Sequence, residues 1–191
     1  MIRETVVTTR AEDGHIHIAP MGIREAGEYL LLAPFRPSRS LDNMLRDRCA
    51  VINYTDDVRI IAGCLTGRWQ WPLCPANRIA GARLKNTLAH TEVLVERVEN
   101  EQLRPRLLCR PVHEEQHAPF RGFNRAQAAV LEAAILVSRL DMLPWQKIQS
   151  EIEYLTIAVD KTAGPREQQA WEWLMDAVTQ HRNKQPNEAR L

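Results

Sequence analysis

Apolar and polar positions follow two different rhythms along this chain. Up to about residue 119 they are short and alternating, and from Asn124 onward they recur every three or four residues. Residues 3–9 are rich in valine and threonine, which suit a pleated, half-buried surface. Asp13-Gly14 is a hairpin turn signal. His15-Ile16-His17-Ile18 then alternates, as a strand with one wet face does, and this places both histidines on the same face. Ala26-Gly27 marks another reversal before Tyr29–Leu32, which Pro34 and Pro37 end. A short helix follows, capped by Ser38 or Ser40, with Leu41, Met44 and Leu45 as its apolar face. Cys49–Tyr54 reads as a buried strand. Residues 57–65 fit strand or helix equally, and residues 68–76, with Trp69, Trp71, Pro72 and Pro75, read as an irregular loop. Residues 79–88 fit a helix. Residues 90–98 and 103–112 read as paired strands around Glu99-Asn100-Glu101.

In the second regime Ala126, Ala129, Val130, Ala133, Val137 and Leu140 share one helical face. Asn124 with Gln127 has the spacing of a capping box. Pro144 suits the first turn of a second helix carrying Ile148, Ile152, Leu155 and Val159. Gly164-Pro165 breaks the chain again. A third helix carries Trp171, Leu174, Met175 and Val178, and the tail from about Asn183 is polar and expected to fray. The layout is five or six strands with one or two short helices, then three helices. It predicts an α+β protein: an antiparallel barrel over residues 1–119 and a helical extension over residues 120–191.

Composition narrows the function only by exclusion. The 191 residues are 45% hydrophobic and 26% charged, enough to bury a core without staples. The 25 basic and 24 acidic residues leave a net charge of +1, which gives no footprint for nucleic acid or an anionic membrane. With neither a basic-then-apolar leader nor a run long enough to span a bilayer, a cytoplasmic location is the expectation. The four cysteines are widely spaced and read as buried or incidental thiols.

Several catalytic signatures are missing. The eight glycines include no Gly-x-Gly, Walker loop or Gly-x-Ser-x-Gly elbow. His113-Glu114-Glu115-Gln116-His117 matches the His-Glu-x-x-His pattern of zinc hydrolases. That chemistry needs both histidines one helical turn apart, whereas here the motif follows a strand-like run and lies between Pro111 and Pro119. A polar loop is the reading preferred, with a zinc hydrolase using His113 and His117 kept as a minor alternative. Pro34-Phe-Arg-Pro-Ser-Arg-Ser-Leu-Asp-Asn43 sets hydroxyls and guanidiniums at a helix start, where orphan N–H groups and the helix dipole favour an anion. A plain capped helix with solvated arginines is the other reading. Phe120-Arg-Gly-Phe-Asn-Arg125 is a second such stretch, or else a linker that docks through Phe120 and Phe123.

Three of these segments, His17-Ile-Ala-Pro-Met-Gly22, Pro34 to Asn43, and Asn53-Tyr-Thr-Asp-Asp57, resemble the flavin-reductase-like split barrels. Asp56-Asp57-Val-Arg59, Ala62-Gly-Cys-Leu-Thr-Gly67, Phe120-Arg-Gly-Phe-Asn-Arg-Ala-Gln127, Glu132-Ala-Ala-Ile-Leu-Val-Ser-Arg139 and Lys161-Thr-Ala-Gly-Pro165 are more similar to one branch. That branch is a split-barrel family of unknown function found in methanogenic archaea and methylotrophic bacteria, and the resemblance runs to about Gln180. It implies a homodimer with FMN near the subunit interface. Pro20, Met21 and Gly22 would lie near the isoalloxazine, and Arg36, Ser38, Arg39 and Ser40 near the phosphate. Asn53, Thr55 and Asp56 would lie at the ring edge or ribityl chain, while Asn124 and Arg125 are candidates with no assigned role. The implied function is a flavin-dependent oxidoreductase that passes electrons from reduced nicotinamide to an acceptor, with a pterin-linked substrate as one candidate. A non-catalytic FMN carrier or sensor is the alternative.

Overall fold

The computed structural model describes residues 1–184. In chain order its elements are β1 (Ile2–Arg10), β2 (Ile16–Ala26), β3 (Tyr29–Leu32), α1 (Arg39–Asp47), β4 (Cys49–Tyr54), α2 (Val58–Leu65), β5 (Leu73–Pro75), β6 (Ala82–Leu84), β7 (Ala89–Glu99), β8 (Arg106–Gln116), α3 (Arg125–Val137), α4 (Trp145–Thr162) and α5 (Pro165–Lys184). The described residues form two compact units, residues 1–56 with 69–120 and residues 57–68 with 121–184.

In the first unit six antiparallel strands close a barrel in the order β1-β2-β3-β8-β7-β4. Closure satisfies every strand edge, including β1 against β4 through Val7 opposite Ile52. Val7, Ile23, Leu32, Ile52, Val93 and Leu107 turn inward to make the core, and Leu41 and Met44 of α1 pack into the same cluster. The Asp13-Gly14 turn forms as expected: Gly14 sits at φ +85°, which only glycine adopts cheaply, and its N–H donates to the Ala11 carbonyl. His15 pairs with Asp13 and lies one residue before the start of β2. Ser38 is the cap of α1, its Oγ accepting from the Leu41 N–H at 3.3 Å.

Three segments differ from their sequence reading. The stretch expected as a helix, residues 79–88, holds β6 instead. The Leu84 N–H donates to the Asn53 side-chain oxygen at 2.7 Å, a buried long-range partner that local apolar spacing does not reveal. The loop at 68–76 contains β5, which pairs with β6. In the expected polar loop at His113 to His117, residues His113 to Gln116 are the end of β8, held in register with β7 as far as Gln116 opposite Ala89, and His117 follows directly.

The second unit is helical. The ambiguous 57–65 stretch becomes α2, capped by Asp57 and packed on α3 and α5. Asp57 also grips the Arg59 guanidinium at 2.6 and 2.9 Å, and Arg59 reaches Gln169 on α5. Leu140, Ile148 and Val178 form a core with Ile152 and Met175 around them. Asn124 caps α3, accepting from the Ala126 and Gln127 N–H groups, and it donates to the Thr162 carbonyl at the end of α4. The Gln127 amide does not complete a capping box; it donates to buried Glu167. Asn183 and Lys184 close α5, and the rest of the tail expected to fray lies outside the described residues. Among the described residues no helix is long and apolar enough to cross a membrane.

Candidate functional site

A cleft of about 640 Å³ opens in the first unit where the β1–β2 hairpin meets α1. That is within the range of small-molecule sites, roughly 300–1,000 Å³. His17, Ile18, Arg39, Arg46 and Trp69 line it, with Asp42 and Asn43 along the helix side. The helix wall is firmly seated. Buried Asn43 donates to Thr9 Oγ1 at 3.0 Å, and Arg46 is taken up by Asp47, Asn43 and the Arg10 carbonyl. Arg39 differs from Arg46 in having no ion-pair partner among the described residues, and it lies one residue past the cap of a nine-residue helix. Burial, and then the nearby Arg39 charge, hold the His17 imidazole below its usual pKa. Trp69 is 58% exposed and offers an aromatic face beside these cations. A planar aromatic ligand carrying an anionic tail matches this donor set: a guanidinium for the tail and an indole for the ring.

Not every residue singled out in the sequence reaches this cleft. Of the four phosphate candidates, Arg39 alone lines it. Arg36 is exposed, its N–H bonded to the Leu103 carbonyl and its guanidinium 3.5 Å from Asn100 Oδ1. Ser38 is occupied as the cap and Ser40 is buried. Pro20, Met21 and Gly22 lie further along β2, half-buried, paired with Val6, Thr5 and Glu4. The Met21 carbonyl accepts from Thr5 Oγ1 at 2.7 Å. A Cβ on Gly22 would stand 2.8 Å from the exposed side chain of Ile2, so the close approach there is made by this chain itself. Asn53 is fully buried and spends its amide internally, donating to the Val6 carbonyl while accepting from Leu84. Thr55 and Asp56 are half-buried just beyond β4. In the second unit, Asn124 and Thr162 occupy the first N–H groups of α3, and Arg125 is exposed.

A second constellation, on β7 and β8, was largely invisible in the sequence. His90 is opposite Glu115, and Glu92 is opposite His113. His90 and Glu92 are buried near the start of the valine-rich strand β7. The Glu92 carboxylate accepts the backbone N–H groups of Asn77, Arg78 and Ile79 at 2.5, 2.7 and 3.1 Å. Burial alone would push its pKa up, but these donors and His90 outweigh that and hold it below the usual carboxylate value. His90 Nε2 lies 3.3 Å from Glu92 Oε1, and His90 Nδ1 lies 2.9 Å from His117 Nε2, the two rings stacked 5.1 Å apart. The His117 pKa is lowered, first by burial and then by the Arg83 charge. Alternation on β8 puts His113 and Glu115 on one face, and His117 follows just past its end with its N–H on the Leu88 carbonyl, a convergence that the helical form of the His-Glu-x-x-His pattern does not describe.

Comparison with known proteins adds a family and a fold. Residues 3–118 match the N-terminal domain model of a protein family of unknown function, DUF447, and residues 124–176 match the second model of that family. Among curated proteins no sequence match is found. An FMN-bound protein of the same family from Methanosarcina mazei superposes with a TM-score of 0.81 at 21% identity, over 92% of this chain and 94% of that one. An FMN-binding protein from Thermus thermophilus gives 0.51 at 14% identity, over 59% of this chain and 69% of that one. An NADH:FAD oxidoreductase from Streptomyces globisporus gives 0.52 at 9% identity, over 63% and 79%. At these identities the likeness establishes a shared fold, the flavin-reductase-like barrel.

Proposed function

Starting from the fact that the chain belongs to the DUF447 family, we propose that it binds FMN in the cleft between the β1–β2 hairpin and α1. We propose further that it acts as a flavin-dependent oxidoreductase. The observation that carries this reading is Arg39, a guanidinium at a helix start without an ion-pair partner among the described residues, lining a cleft of suitable size on a barrel shared with an FMN-bound relative. Arg39 would hold the phosphate and Trp69 would cover part of the ring, which would run along β2 toward Pro20, Met21 and Gly22. Thr55 and Asp56 are the candidates for the ribityl chain. When bound, the flavin would supply the redox chemistry, and these side chains would bind and orient it. Residues 1–119 are assigned to the flavin and residues 120–191 to a helical extension. A homodimer fits the exposed apolar surface beside the barrel: Phe35 and Leu103 are 62% and 72% exposed on adjacent turns. Reduced nicotinamide is the proposed electron donor, and a pterin-linked compound the first acceptor to try, in a cytoplasmic setting.

Titration with FMN, followed by flavin fluorescence, tests the site. Arg39→Ala should weaken binding by about 10–100-fold, the scale of one charge-assisted hydrogen bond. Unchanged affinity removes Arg39 from the site, and a wild-type chain that takes up no FMN overturns the reading. Anaerobic mixing of the FMN-loaded protein with NADH or NADPH then separates enzyme from carrier. Bleaching of the visible flavin band supports the oxidoreductase, and a persistent band supports the carrier.

A further inference from the structure

We infer that the β7–β8 patch is a divalent transition-metal site, with His90, His113 and Glu115 as ligands to Zn²⁺. The ligand atoms of these three side chains lie within 4.8 Å of one another. Zinc–nitrogen and zinc–oxygen bonds of about 2.0–2.2 Å in a tetrahedron place neighbouring ligand atoms roughly 3.3–3.5 Å apart. His113 Nε2 and Glu115 Oε2 are already 3.5 Å apart. Drawing His90 into the same sphere asks for small side-chain rotations rather than backbone movement, because Glu115 and His90 are cross-strand partners.

Two further observations favour an ion over a merely hydrogen-bonded polar patch. The first is where the lone pairs point. The Asn77 Nδ2 amide, which can only donate, is 2.8 Å from His113 Nε2 and 3.1 Å from Glu115 Oε2. Both acceptors are therefore aimed at one electropositive group, and a cation takes that place when the exposed Asn77 side chain swings aside. The second is the support behind His90. Glu92 faces its Nε2 and is itself fixed by three backbone N–H groups. In a neutral ring this puts the proton on Nε2 and leaves the Nδ1 lone pair toward the cluster. This is the carboxylate–histidine arrangement that orients metal ligands. A histidine pair with one carboxylate suits zinc, and the fourth position is left to water or to His117, whose Nε2 is already 2.9 Å from His90 Nδ1. The site stands apart from the flavin reading, since none of its residues lines the cleft.

The test uses the untagged full-length chain, stripped with a chelator, dialysed, and titrated with Zn²⁺ alone. Bound metal is measured after gel filtration, and Co²⁺ substitution reports coordination through its visible bands. One ion per chain is expected. His113→Ala with Glu115→Ala should weaken it by at least about 100-fold, beyond the loss typical of an outer-sphere partner. Both residues lie outside the core, so the double variant should keep its circular dichroism spectrum. His181→Ala, in the other unit, should bind as wild type does. No uptake by the wild type at a large excess of Zn²⁺ overturns the inference, as does uptake unchanged in the double variant.

Discussion

Replacing Glu92 with alanine should destabilise the first unit more than any surface substitution does. The carboxylate is fully buried and accepts three backbone N–H groups at 2.5, 2.7 and 3.1 Å, with His90 at 3.3 Å. A hydrogen bond to a charged group contributes about 1.5–3 kcal/mol. Asn77 and Arg78 are exposed enough for water to replace part of what they lose, while half-buried Ile79 and buried His90 are less easily repaired. A net loss of about 3 kcal/mol follows from these terms and the cavity left behind. At about 2–4 °C per kcal/mol for a chain of this size, Tm should fall by about 6–12 °C. Glu92→Gln keeps the shape but turns a donor toward backbone donors, and should lose about 2 kcal/mol. The folded pKa of Glu92 is depressed, so its contribution is present above the unfolded carboxylate value and is lost as pH falls through the folded one. Wild-type stability should therefore fall on acidification, and that of Glu92→Gln should fall less. Urea denaturation at pH 7 and pH 4, followed by circular dichroism, measures both effects. A Glu92→Ala unfolding free energy within about 0.5 kcal/mol of wild type would refute the reasoning, because surface changes alone do that much.

Asn53→Ala should lose about 2–3 kcal/mol in the same assay, since it strips the Leu84 N–H and the Val6 carbonyl of a buried partner. Cys64 and Cys109, whose thiols burial pushes up to about 12, should resist iodoacetamide at pH 8 in the native protein and react fully in guanidinium, as mass spectrometry would show. Asn124→Ala should lose about 1–2 kcal/mol through the cap of α3, and Thr162→Ala should cost more in that background than on its own, because the two side chains are alternative acceptors for the Ala126 N–H. Thermal melts of the two single variants and the double variant check that non-additivity.

The amino-acid sequence on its own determined the elements whose signals are local. The Asp13-Gly14 turn, the Ser38 cap, the alternation of β7 and β8, and the apolar stripes of α3, α4 and α5 each need only near neighbours to be read. The split-barrel family was legible for the same reason, because its motifs are short contiguous runs. Several residues of those motifs serve packing: Asp57 and Arg59 tie α2 to α5, and Asn124 with Thr162 joins α3 to α4. Tertiary structure alone decided the rest. Residues 79–88 are not helical because the partner of Leu84 is Asn53, thirty-one positions away in sequence. Whether His113 and His117 stand on a helix or a strand depends on pairing with β7, and only that pairing brings His90 and Glu115 face to face. Glu92 was unreadable because its main partners are backbone N–H groups, which every residue but proline carries, so no side-chain pattern records where a folded chain will bring them together.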